Sequence, residues 1–367
     1  MQTLTQSEEV MSQYWSQLVH TLEPYVPGEQ PRDQRYIKLN TNECPYPPSP
    51  LALQAIAEAG GESLRLYSDP GATELKEAVA EYYAVGTENI FVGNGSDEVL
   101  AHIFRGLLDH DKPLLYPDLS YGFYPVYRQF FELNAVEIPL REDFSIHPDD
   151  YQQDNGGIII ANPNAPTGLA LGLADIELLL QRNPDSVVVI DEAYVDFGAD
   201  SAIALVGKYP NLLVVQTFSK SRSLAGLRVG IAVGHRDLID GLERIKNSFH
   251  PYTLGRMDIA GAAAAMRDRE YFDQTRHKVM ATRERSAEQL RQLGFTVLPS
   301  KTNFLFVRPP NGRAEKLYQA LKAQGVLVRY FNKSRINEYL RVTVGTDEEM
   351  DSFVAKLRQM PEVVGNG

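Results

Sequence analysis

Three side chains with chemical potential, Ser219, Lys220 and Arg228, lie between two apolar runs at residues 212–215 and 229–233. An amine in apolar surroundings loses its proton more easily, and it can then form a Schiff base with a carbonyl group. An arginine and a hydroxyl nearby can together hold a phosphate. A Schiff-base lysine beside a phosphate anchor indicates pyridoxal phosphate. The alternative for such a lysine, taken alone, is a solvated polar loop.

Polar side chains also follow other predicted strands. The apolar run 158–161 ends in the segment 162–168, and the apolar run 187–190 ends in Asp191. Continuous apolar runs are typical of strands buried in a parallel sheet, and open α/β sheets bind ligands outside the carboxyl ends of their strands. A carboxylate there can pair with a protonated ring nitrogen, so that the ring acts as an electron sink. A helix cap or an ion pair is the alternative role for Asp191.

Further polar groups could complete the same site. Tyr194, and either Asn162 or Asn164, are candidates to hydrogen-bond a ring hydroxyl, although Tyr194 alone could equally be a packed tyrosine. Ser96 and Asp97 follow a predicted strand and a glycine turn, and they precede a predicted helix. The N–H groups at a helix N-terminus bind anions, so we expect a phosphate near these two residues. A plain strand–helix turn is the alternative.

The alternation of predicted strands and helices indicates an α/β fold with a mostly parallel sheet flanked by helices. After about residue 260 the pattern changes to short strands and helices, which indicates a smaller α+β domain. We therefore predict an N-terminal arm at residues 1–40, a large cofactor-binding domain at 41–265 and a small domain at 266–367. The arm is expected to pack on the small domain or on a partner subunit.

Composition bounds the possible partners. The chain has 367 residues, of which 43% are hydrophobic, as in an ordinary globular protein. Its formal charge of −12 argues against nucleic acid or an anionic membrane as partner, although a local arginine cluster could still bind an anionic substrate. The N-terminus carries Glu8 and Glu9 without a signal-like apolar core, and no apolar run is long enough to span a bilayer. The single cysteine, Cys44, allows no internal disulfide and no metal cluster, so a cytoplasmic enzyme without a metal is expected.

These segments together resemble the fold-type I pyridoxal-phosphate-dependent aminotransferases, and among them the histidinol-phosphate aminotransferase subfamily. The matching motifs lie at residues 39–43, 95–98, 120–124, 162–168, 191–194, 219–228, 328–331 and 340–345. The Asp-Glu-Ala-Tyr motif followed by Ser-Lys, in this order and spacing, is highly specific for the fold. The motifs around Arg329 and Arg341 are less specific and point to the subfamily.

The resemblance implies a role in cofactor binding for one set of residues. It places pyridoxal 5′-phosphate against Ser96, Asp97, Tyr121, Asn164, Asp191, Tyr194, Ser219, Lys220 and Arg228. Lys220, Asp191 and Tyr194 would be catalytic, and Tyr121 would stack on the ring. Tyr67 would reach the cofactor phosphate from the neighbouring subunit, which implies a homodimer.

The resemblance also implies a substrate pocket and a reaction. Tyr25, Asn42 and Asn303 would line the pocket, Arg341 would bind the acid group of the substrate, and Arg329 would help hold a phosphate. The expected reaction converts histidinol phosphate and 2-oxoglutarate to imidazole-acetol phosphate and glutamate in histidine biosynthesis. Two arginines can hold either a phosphate or a carboxylate, which lets one pocket serve both half-reactions. In so acidic a chain, surface ion pairs are the alternative role for both arginines.

One position departs from the family pattern, and other activities stay open. The family commonly has Asn immediately before Pro-Thr-Gly, where it contacts the ring hydroxyl, but here that position is Ala165. Either Asn164 takes over that contact with a shifted loop, or Tyr194 makes it alone. The alternative activities are an aromatic amino-acid aminotransferase and a threonine-phosphate decarboxylase. A DNA-binding regulator is disfavoured, because the predicted arm is short and the net charge is negative.

Overall fold

A computed structural model describes residues 12–31 and 33–365 of the chain. Residues 1–11 of the predicted arm, with Glu8 and Glu9, lie outside the described residues, as do residue 32 and residues 366–367. The described helices are α1 (Gln17–Thr21), α2 (Pro50–Ala59), α3 (Thr73–Tyr83), α4 (Gly95–Gly106), α5 (Tyr124–Phe130), α6 (Leu173–Arg182), α7 (Arg236–Phe249), α8 (Arg256–Arg267), α9 (Arg269–Gln292), α10 (Ala314–Ala323), α11 (Asp347–Arg358) and α12 (Pro361–Val364). The described strands are β1 (Ile37–Lys38), β2 (Ile90–Asn94), β3 (Leu114–Pro117), β4 (Ala135–Ile138), β5 (Gly157–Ala161), β6 (Val187–Asp191), β7 (Leu212–Thr217), β8 (Val229–Gly234), β9 (Thr296–Val297), β10 (Phe304–Arg308), β11 (Val326–Leu327), β12 (Arg329–Tyr330) and β13 (Leu340–Thr343).

Seven strands form the central sheet in the order β2-β8-β7-β6-β5-β3-β4. Only β8 runs antiparallel to its neighbours in this sheet, and the pairs from β7 to β4 are parallel. The strands β5, β7 and β8 are buried along their whole length. Because both faces are covered, these strands have continuous apolar sequences instead of an alternating pattern. The predicted α/β class with a mostly parallel sheet is confirmed.

Helices cover both faces of the central sheet. Alternate residues of a strand point to opposite faces, so Ile158 and Ile160 pack with α2, α3, α6 and α8, whereas Ile159 packs with α4, α5 and α7. This arrangement holds the carboxyl ends of β5, β6 and β7 side by side at one edge of the sheet. The residues that follow these three strands are therefore brought together.

A second, smaller core lies against an antiparallel sheet of order β12-β13-β10-β9. The helices α9, α10, α11 and α12 contribute its other side. Strand β1 pairs in parallel with β11, and the adjacent Leu39 is fully buried in this smaller core. This arrangement agrees with the predicted smaller α+β part, while the boundaries at residues 40 and 265 stay a prediction.

The described part of the arm contacts both cores. The backbone N–H of Glu23 donates to Gln129 Oε1 on α5 at 3.2 Å, and Glu29 forms an ion pair with Lys322 on α10. Desolvation opposes ionisation of the Glu29 carboxyl, but hydrogen bonds from Lys322 and Tyr318 outweigh it and lower its pKa. The arm thus lies across the boundary between the two cores.

Several elements were absent from the sequence prediction, and one began earlier than predicted. Strand β4 lies at the edge of the sheet and has two exposed residues, so it lacks the apolar run that marks the inner strands. The helices α5, α7, α8 and α12 were not predicted either. Helix α4 begins at Gly95, so Ser96 and Asp97 lie in its first turn instead of preceding the helix as predicted.

The sequence expectations about membranes, metals and cysteine can be compared with the described residues. No helix among them combines the length and apolar character needed to cross a bilayer. They also contain no group of three or more His, Cys, Asp or Glu side chains placed to bind a metal ion. Cys44 is partly buried, and desolvation raises the pKa of its thiol.

Gly230 of β8 packs against the start of α4, and this contact can be tested by mutation. A Cβ at Gly230 would lie 2.3 Å from the backbone N of Ser96, closer than non-bonded atoms approach. We expect Gly230→Ala to lower the free energy of unfolding by about 1–3 kcal/mol in urea titrations. The control is Gly226→Ala, where an added Cβ meets no atom within 4 Å and the expected change is below about 0.5 kcal/mol. Equal stability of the two variants would contradict the close approach.

Candidate active site

Two cavities adjoin at the carboxyl ends of β5, β6 and β7. The first, of about 200 Å³, is bordered by Asp191 and Arg228 and is called the Asp191 cavity below. The second, of about 410 Å³, is bordered by Arg329 and Arg341 and is called the Arg341 cavity. The residues that border both cavities are Thr41, Tyr121, Ala165, Tyr194 and Lys220. A ligand in either cavity can therefore reach the amine of Lys220.

Lys220 lies just after β7, in a turn between β7 and β8. Its Nζ donates a hydrogen bond to the backbone O of Thr41 at 3.3 Å and lies 5.8 Å from the centre of the Tyr194 ring. The amine has no carboxylate within ion-pairing distance in the described part of the chain. It is thus available to a ligand that occupies either cavity.

Asp191, the last residue of β6, has one oxygen that is buried and unpaired. Its Oδ2 accepts a hydrogen bond from the Tyr124 hydroxyl at 2.8 Å, while Oδ1 has no hydrogen-bond partner. Desolvation raises the pKa of this carboxyl to about 6, although the bond from Tyr124 acts in the opposite direction. A buried carboxylate oxygen without a partner is costly. It fits a ligand that presents a cationic N–H group in the Asp191 cavity.

Tyr124 lies within the motif at residues 120–124, and no role was predicted for it from the sequence. Its side chain is fully buried, and desolvation followed by the nearby Asp191 charge raises the pKa of its hydroxyl far above the ordinary value. It therefore stays protonated and donates to Asp191. No local motif marks this role, because the contact joins α5 to the end of β6.

The neighbouring acid, Glu192, points away from both cavities. It accepts hydrogen bonds from Ser201 Oγ at 2.6 Å, from the backbone N–H of Ala202 at 2.6 Å and from Gln216 Nε2 at 2.9 Å. Burial raises the pKa of this carboxyl to about 7. Of the two adjacent acids, only Asp191 is placed to meet a ligand.

The first turn of α4 and Arg228 together border the Asp191 cavity. Arg228 Nη2 lies 2.9 Å from Asp97 Oδ2, and its Nη1 donates to Ser219 Oγ at 3.4 Å. Gly95 has a left-handed φ of +74°, and a Cβ there would lie 2.5 Å from Arg228 Nη2. Glycine therefore makes room for the guanidinium beside the helix N-terminus, where N–H groups and the helix dipole favour anions.

Tyr121 also borders this region. Its hydroxyl donates to Asp97 Oδ1 at 2.8 Å, and its ring borders both cavities. The ring is packed against Phe123 and Tyr124, with centroid distances of 5.8 and 5.6 Å. Its orientation is therefore fixed by aromatic neighbours, and a flat ligand could stack on the exposed face.

Asn42 connects Tyr194 to the smaller core. Its Nδ2 donates to the Tyr194 hydroxyl at 2.9 Å, and its Oδ1 accepts from Thr343 Oγ1 at 3.0 Å. Asn303 donates to the backbone O of Asn42 at 3.0 Å. Asn303 is fully buried and borders neither cavity, so its expected substrate contact would need a rearrangement. In this structure it supports Asn42 instead.

The structure also places Asn164 and Asn162 away from the expected ring hydroxyl. Asn164 Oδ1 accepts from Ser120 Oγ at 2.8 Å, and its Nδ2 donates to the backbone O of Leu119 at 3.0 Å. Asn162 exchanges hydrogen bonds with the backbone of Leu171. Neither asparagine borders a cavity, whereas Ala165 borders both. The alternative in which Tyr194 makes the contact without Asn164 agrees better with this geometry.

Arg329 and Arg341 lie directly opposite each other in the register of β12 and β13. Like charges at such positions are destabilising unless an anion lies between them. Arg341 is partly buried, and desolvation lowers its pKa; its Nη2 donates to the backbone O of Asn40 at 3.0 Å, and its buried Nε has no partner. Both guanidinium groups lie 5.6 Å from the centre of the Phe331 ring. The pair is therefore placed to hold an anion.

Of the two predicted tyrosines Tyr25 and Tyr67, only Tyr25 borders a cavity. Tyr25, from the arm, borders the Arg341 cavity and contacts the ring of Phe123 at a centroid distance of 4.6 Å. Tyr67 borders neither cavity and is 79% exposed. It stacks on Tyr252 at 4.5 Å, and its backbone O accepts from Arg256 at 2.7 Å. Within one chain, Tyr67 is therefore outside the site.

Comparisons with known proteins agree with this geometry. The model of the family described as aminotransferase class I and II matches residues 34–357. Histidinol-phosphate aminotransferase 1 of Hydrogenovibrio crunogenus is 59% identical over 92% of this chain and 95% of the relative. Histidinol-phosphate aminotransferase of Clostridium acetobutylicum is 52% identical over 95% of this chain and 99% of the relative. The crystal structure of histidinol-phosphate aminotransferase from Sinorhizobium meliloti in complex with pyridoxal-5′-phosphate has a TM-score of 0.86 at 24% identity, covering 97% of this chain and 99% of that chain.

The raised pKa of Asp191 predicts a pH-dependent stability in protein without ligand. Because burial moves the pKa of this carboxyl from 3.8 to about 6, the folded protein binds more protons in that window, and its stability falls as pH rises through it. The variant Asp191→Asn loses this penalty. Its free energy of unfolding, relative to wild type, should rise on the order of 2 kcal/mol between about pH 4 and pH 7.

Urea unfolding at several pH values measures this difference. The exposed Asp185→Asn variant is the control for removing one negative charge. A stability difference between Asp191→Asn and wild type that stays constant over the range would contradict the raised pKa.

Proposed function

Because this chain belongs to the class I and II aminotransferases, we propose that it transfers the amino group of histidinol phosphate to 2-oxoglutarate in histidine biosynthesis. The products are imidazole-acetol phosphate and glutamate. The predicted resemblance to this family is confirmed by the family model and by the relatives named above. The observation that carries the choice of substrate is the Arg329–Arg341 pair, which faces Lys220 across a cavity whose described lining contains no carboxylate.

Pyridoxal 5′-phosphate is the proposed cofactor, and the Asp191 cavity fits it. The unpaired Asp191 Oδ1 suits a protonated ring nitrogen, and the α4 N-terminus with Ser219 and Arg228 suits a phosphate. Tyr121 offers a ring face for stacking, and the Tyr194 hydroxyl can donate to a ring oxygen because Asn42 already donates to it. When bound, the cofactor supplies a conjugated ring that takes up the electron pair left when the substrate carbon loses its proton.

Lys220 is the proposed catalytic base. Its Nζ borders both cavities, so it can take the proton from the substrate carbon that bears the amine and later return a proton. The bond to the backbone O of Thr41 orients the amine without neutralising it. Asp191 stays ionised when a cationic N–H faces its free oxygen, since an opposite charge favours the ionised form.

Arg341 and Arg329 are the proposed anion-binding residues of both half-reactions. A phosphate of the amine substrate, or a carboxylate of the 2-oxo acid, would lie between the two guanidinium groups and relieve their repulsion. Arg341 carries an unpaired and buried Nε, which supports a ligand at this place. Tyr25 and Asn42 border the same cavity, and their contacts with the substrate are part of the proposal.

A homodimer is the proposed assembly, with Tyr67 serving the site of the neighbouring subunit. Large apolar side chains are exposed on Tyr252, which stacks on Tyr67, and at positions close in sequence to these two tyrosines, namely Leu64, Leu66 and Phe249. An exposed apolar group of this kind is typical of a protein interface. Ser68 donates to the backbone O of Leu254 at 2.6 Å, so the Tyr67 segment is held firmly although the tyrosine itself is exposed. The proposal keeps the cytoplasmic location predicted from the sequence.

One assay series tests the proposed reaction. With pyridoxal 5′-phosphate and 2-oxoglutarate present, we expect kcat/KM for histidinol phosphate to exceed that for phenylalanine or tyrosine by at least about tenfold, because a phosphate makes more charged hydrogen bonds. Threonine phosphate should release no carbon dioxide. Lys220→Ala should lower kcat by about 1000-fold or more, and the absorbance of added cofactor should then match that of free cofactor. A preference for phenylalanine would refute the proposed amine but not the family.

Mixed dimers test the role of Tyr67. Tyr67→Phe should weaken cofactor binding by about tenfold, because a hydroxyl bond to a charged group is lost. A dimer of one Tyr67→Phe chain and one Lys220→Ala chain contains one site in which both residues are wild type, if Tyr67 acts across the interface. Measurement of activity at limiting cofactor should then show recovery on mixing. Lack of recovery, with mixed dimers verified by mass spectrometry, would place Tyr67 outside the partner's site.

A further inference from the structure

The Arg341 cavity is bordered by more positively charged side chains than the two predicted arginines. Its described lining contains four cationic side chains, Lys220, Arg329, Lys333 and Arg341, and no carboxylate. Three of these have the roles proposed above. Lys333 was not singled out in the sequence, because it lies in a polar stretch after β12 without a distinguishing motif.

Lys333 is held at the edge of the cavity by one hydrogen bond. Its Nζ donates to the backbone O of Asp118 at 2.7 Å. Asp118 precedes Leu119, Ser120 and Tyr121, which border the same cavity. An ammonium group has three donors. Since Lys333 forms no ion pair among the described residues, donors remain for a ligand in the cavity.

Charge counting distinguishes the anions that this cavity would meet. A carboxylate carries one negative charge, whereas a phosphate monoester carries about −1.5 to −2 near pH 7 and has three acceptor oxygens. Electrostatic attraction scales with the product of the charges, so a third cation stabilises a bound phosphate more than a bound carboxylate. Arg329 and Arg341 can hold either anion, and Lys333 adds a third positive charge to the preference for phosphate.

We propose that Lys333 is a specificity residue that binds the phosphate end of the amine substrate and favours it over amino acids. This inference rests on the proposed function, since it assumes a phosphorylated amine at the Arg329–Arg341 pair. Lys333 contributes to binding and not to proton transfer, because the amine that borders both cavities is that of Lys220.

Arg335 is a control for a purely structural role of Lys333, because it lies in the same segment and has structural contacts. Arg335 connects the same segment to the large domain: its Nη1 lies 3.1 Å from Asp118 Oδ2, and its Nη2 donates to the backbone O of Leu140 and of Arg141, each at 2.8 Å. Arg335 does not border the Arg341 cavity. If Lys333 only fastened this segment, removing the Arg335 contacts would produce the same kinetic change.

The test compares Lys333→Met, Lys333→Arg and the matched control Arg335→Met in the cofactor-loaded enzyme. We expect Lys333→Met to raise KM for histidinol phosphate by about tenfold with little change in kcat, and to change KM for glutamate by less than about threefold. Lys333→Arg should keep most of the discrimination, because the charge remains. Arg335→Met should shift both substrates alike. Equal effects of Lys333→Met on both substrates, or no effect on either, would overturn the inference.

A second measurement separates this inference from the proposed function. Inorganic phosphate should compete with glutamate, and Lys333→Met should raise its inhibition constant by about tenfold, whichever amine the enzyme prefers. If wild type does not turn over histidinol phosphate, the proposed function fails, while the phosphate inhibition still decides whether Lys333 binds this group. An unchanged inhibition constant in Lys333→Met would refute the phosphate role of Lys333.

Discussion

A carboxylate buried with one oxygen unpaired is the constraint on which the rest of the site depends. Asp191 ends β6 between two parallel neighbours, which fix the position of its backbone, and its side chain is buried. Its only side-chain donor is Tyr124, and the second oxygen is left without a partner. Without a partner for this oxygen, such burial lowers the free energy of unfolding by an amount on the order of a few kcal/mol. A ligand that donates a hydrogen bond to this oxygen would remove that destabilisation.

Each of the two cavities has a polar group without a hydrogen-bond partner, and the two groups have opposite charges. This arrangement suits a cationic ring in the Asp191 cavity and an anionic substrate in the Arg341 cavity. Asp191 Oδ1 has no hydrogen-bond donor, and Arg341 Nε has no acceptor. The chain has a formal charge of −12, yet the lining of the Arg341 cavity is entirely without acids in the described residues. Local arrangement, and not the net charge, therefore sets the field that a substrate meets. Lys220 lies where the two cavities adjoin.

One short segment links the residues after β6 to the smaller core beside the two cavities. Asn42 has a left-handed φ of 56° and joins Tyr194, which follows β6, to Thr343 at the end of β13. Asn303 donates a hydrogen bond to the backbone O of Asn42, and Leu39 of the same segment is buried in the smaller core. Arg341 and Asp191 belong to different sheets, and this hydrogen-bonded segment lies between those sheets.

The amino-acid sequence by itself determined the class of fold and the family. Continuous apolar runs mark β5, β6 and β7, because strands with both faces buried need apolar residues throughout. Asp191 directly follows one such run and Lys220 comes five residues after another, and motif spacing identified them together with the family. Elements without this signal, such as the edge strand β4, were not found.

Only the tertiary structure decided which side chains share a cavity and which serve as support. In the structure, Asn164 and Asn303 form supporting hydrogen bonds instead of bordering a cavity. Tyr124 donates a hydrogen bond to Asp191, and Lys333 borders the Arg341 cavity. Local patterns report burial and turns, but they carry no information on contacts between residues far apart in the chain. Those contacts arise from sheet register and from the packing of one core against the other, which is why they became visible only in three dimensions.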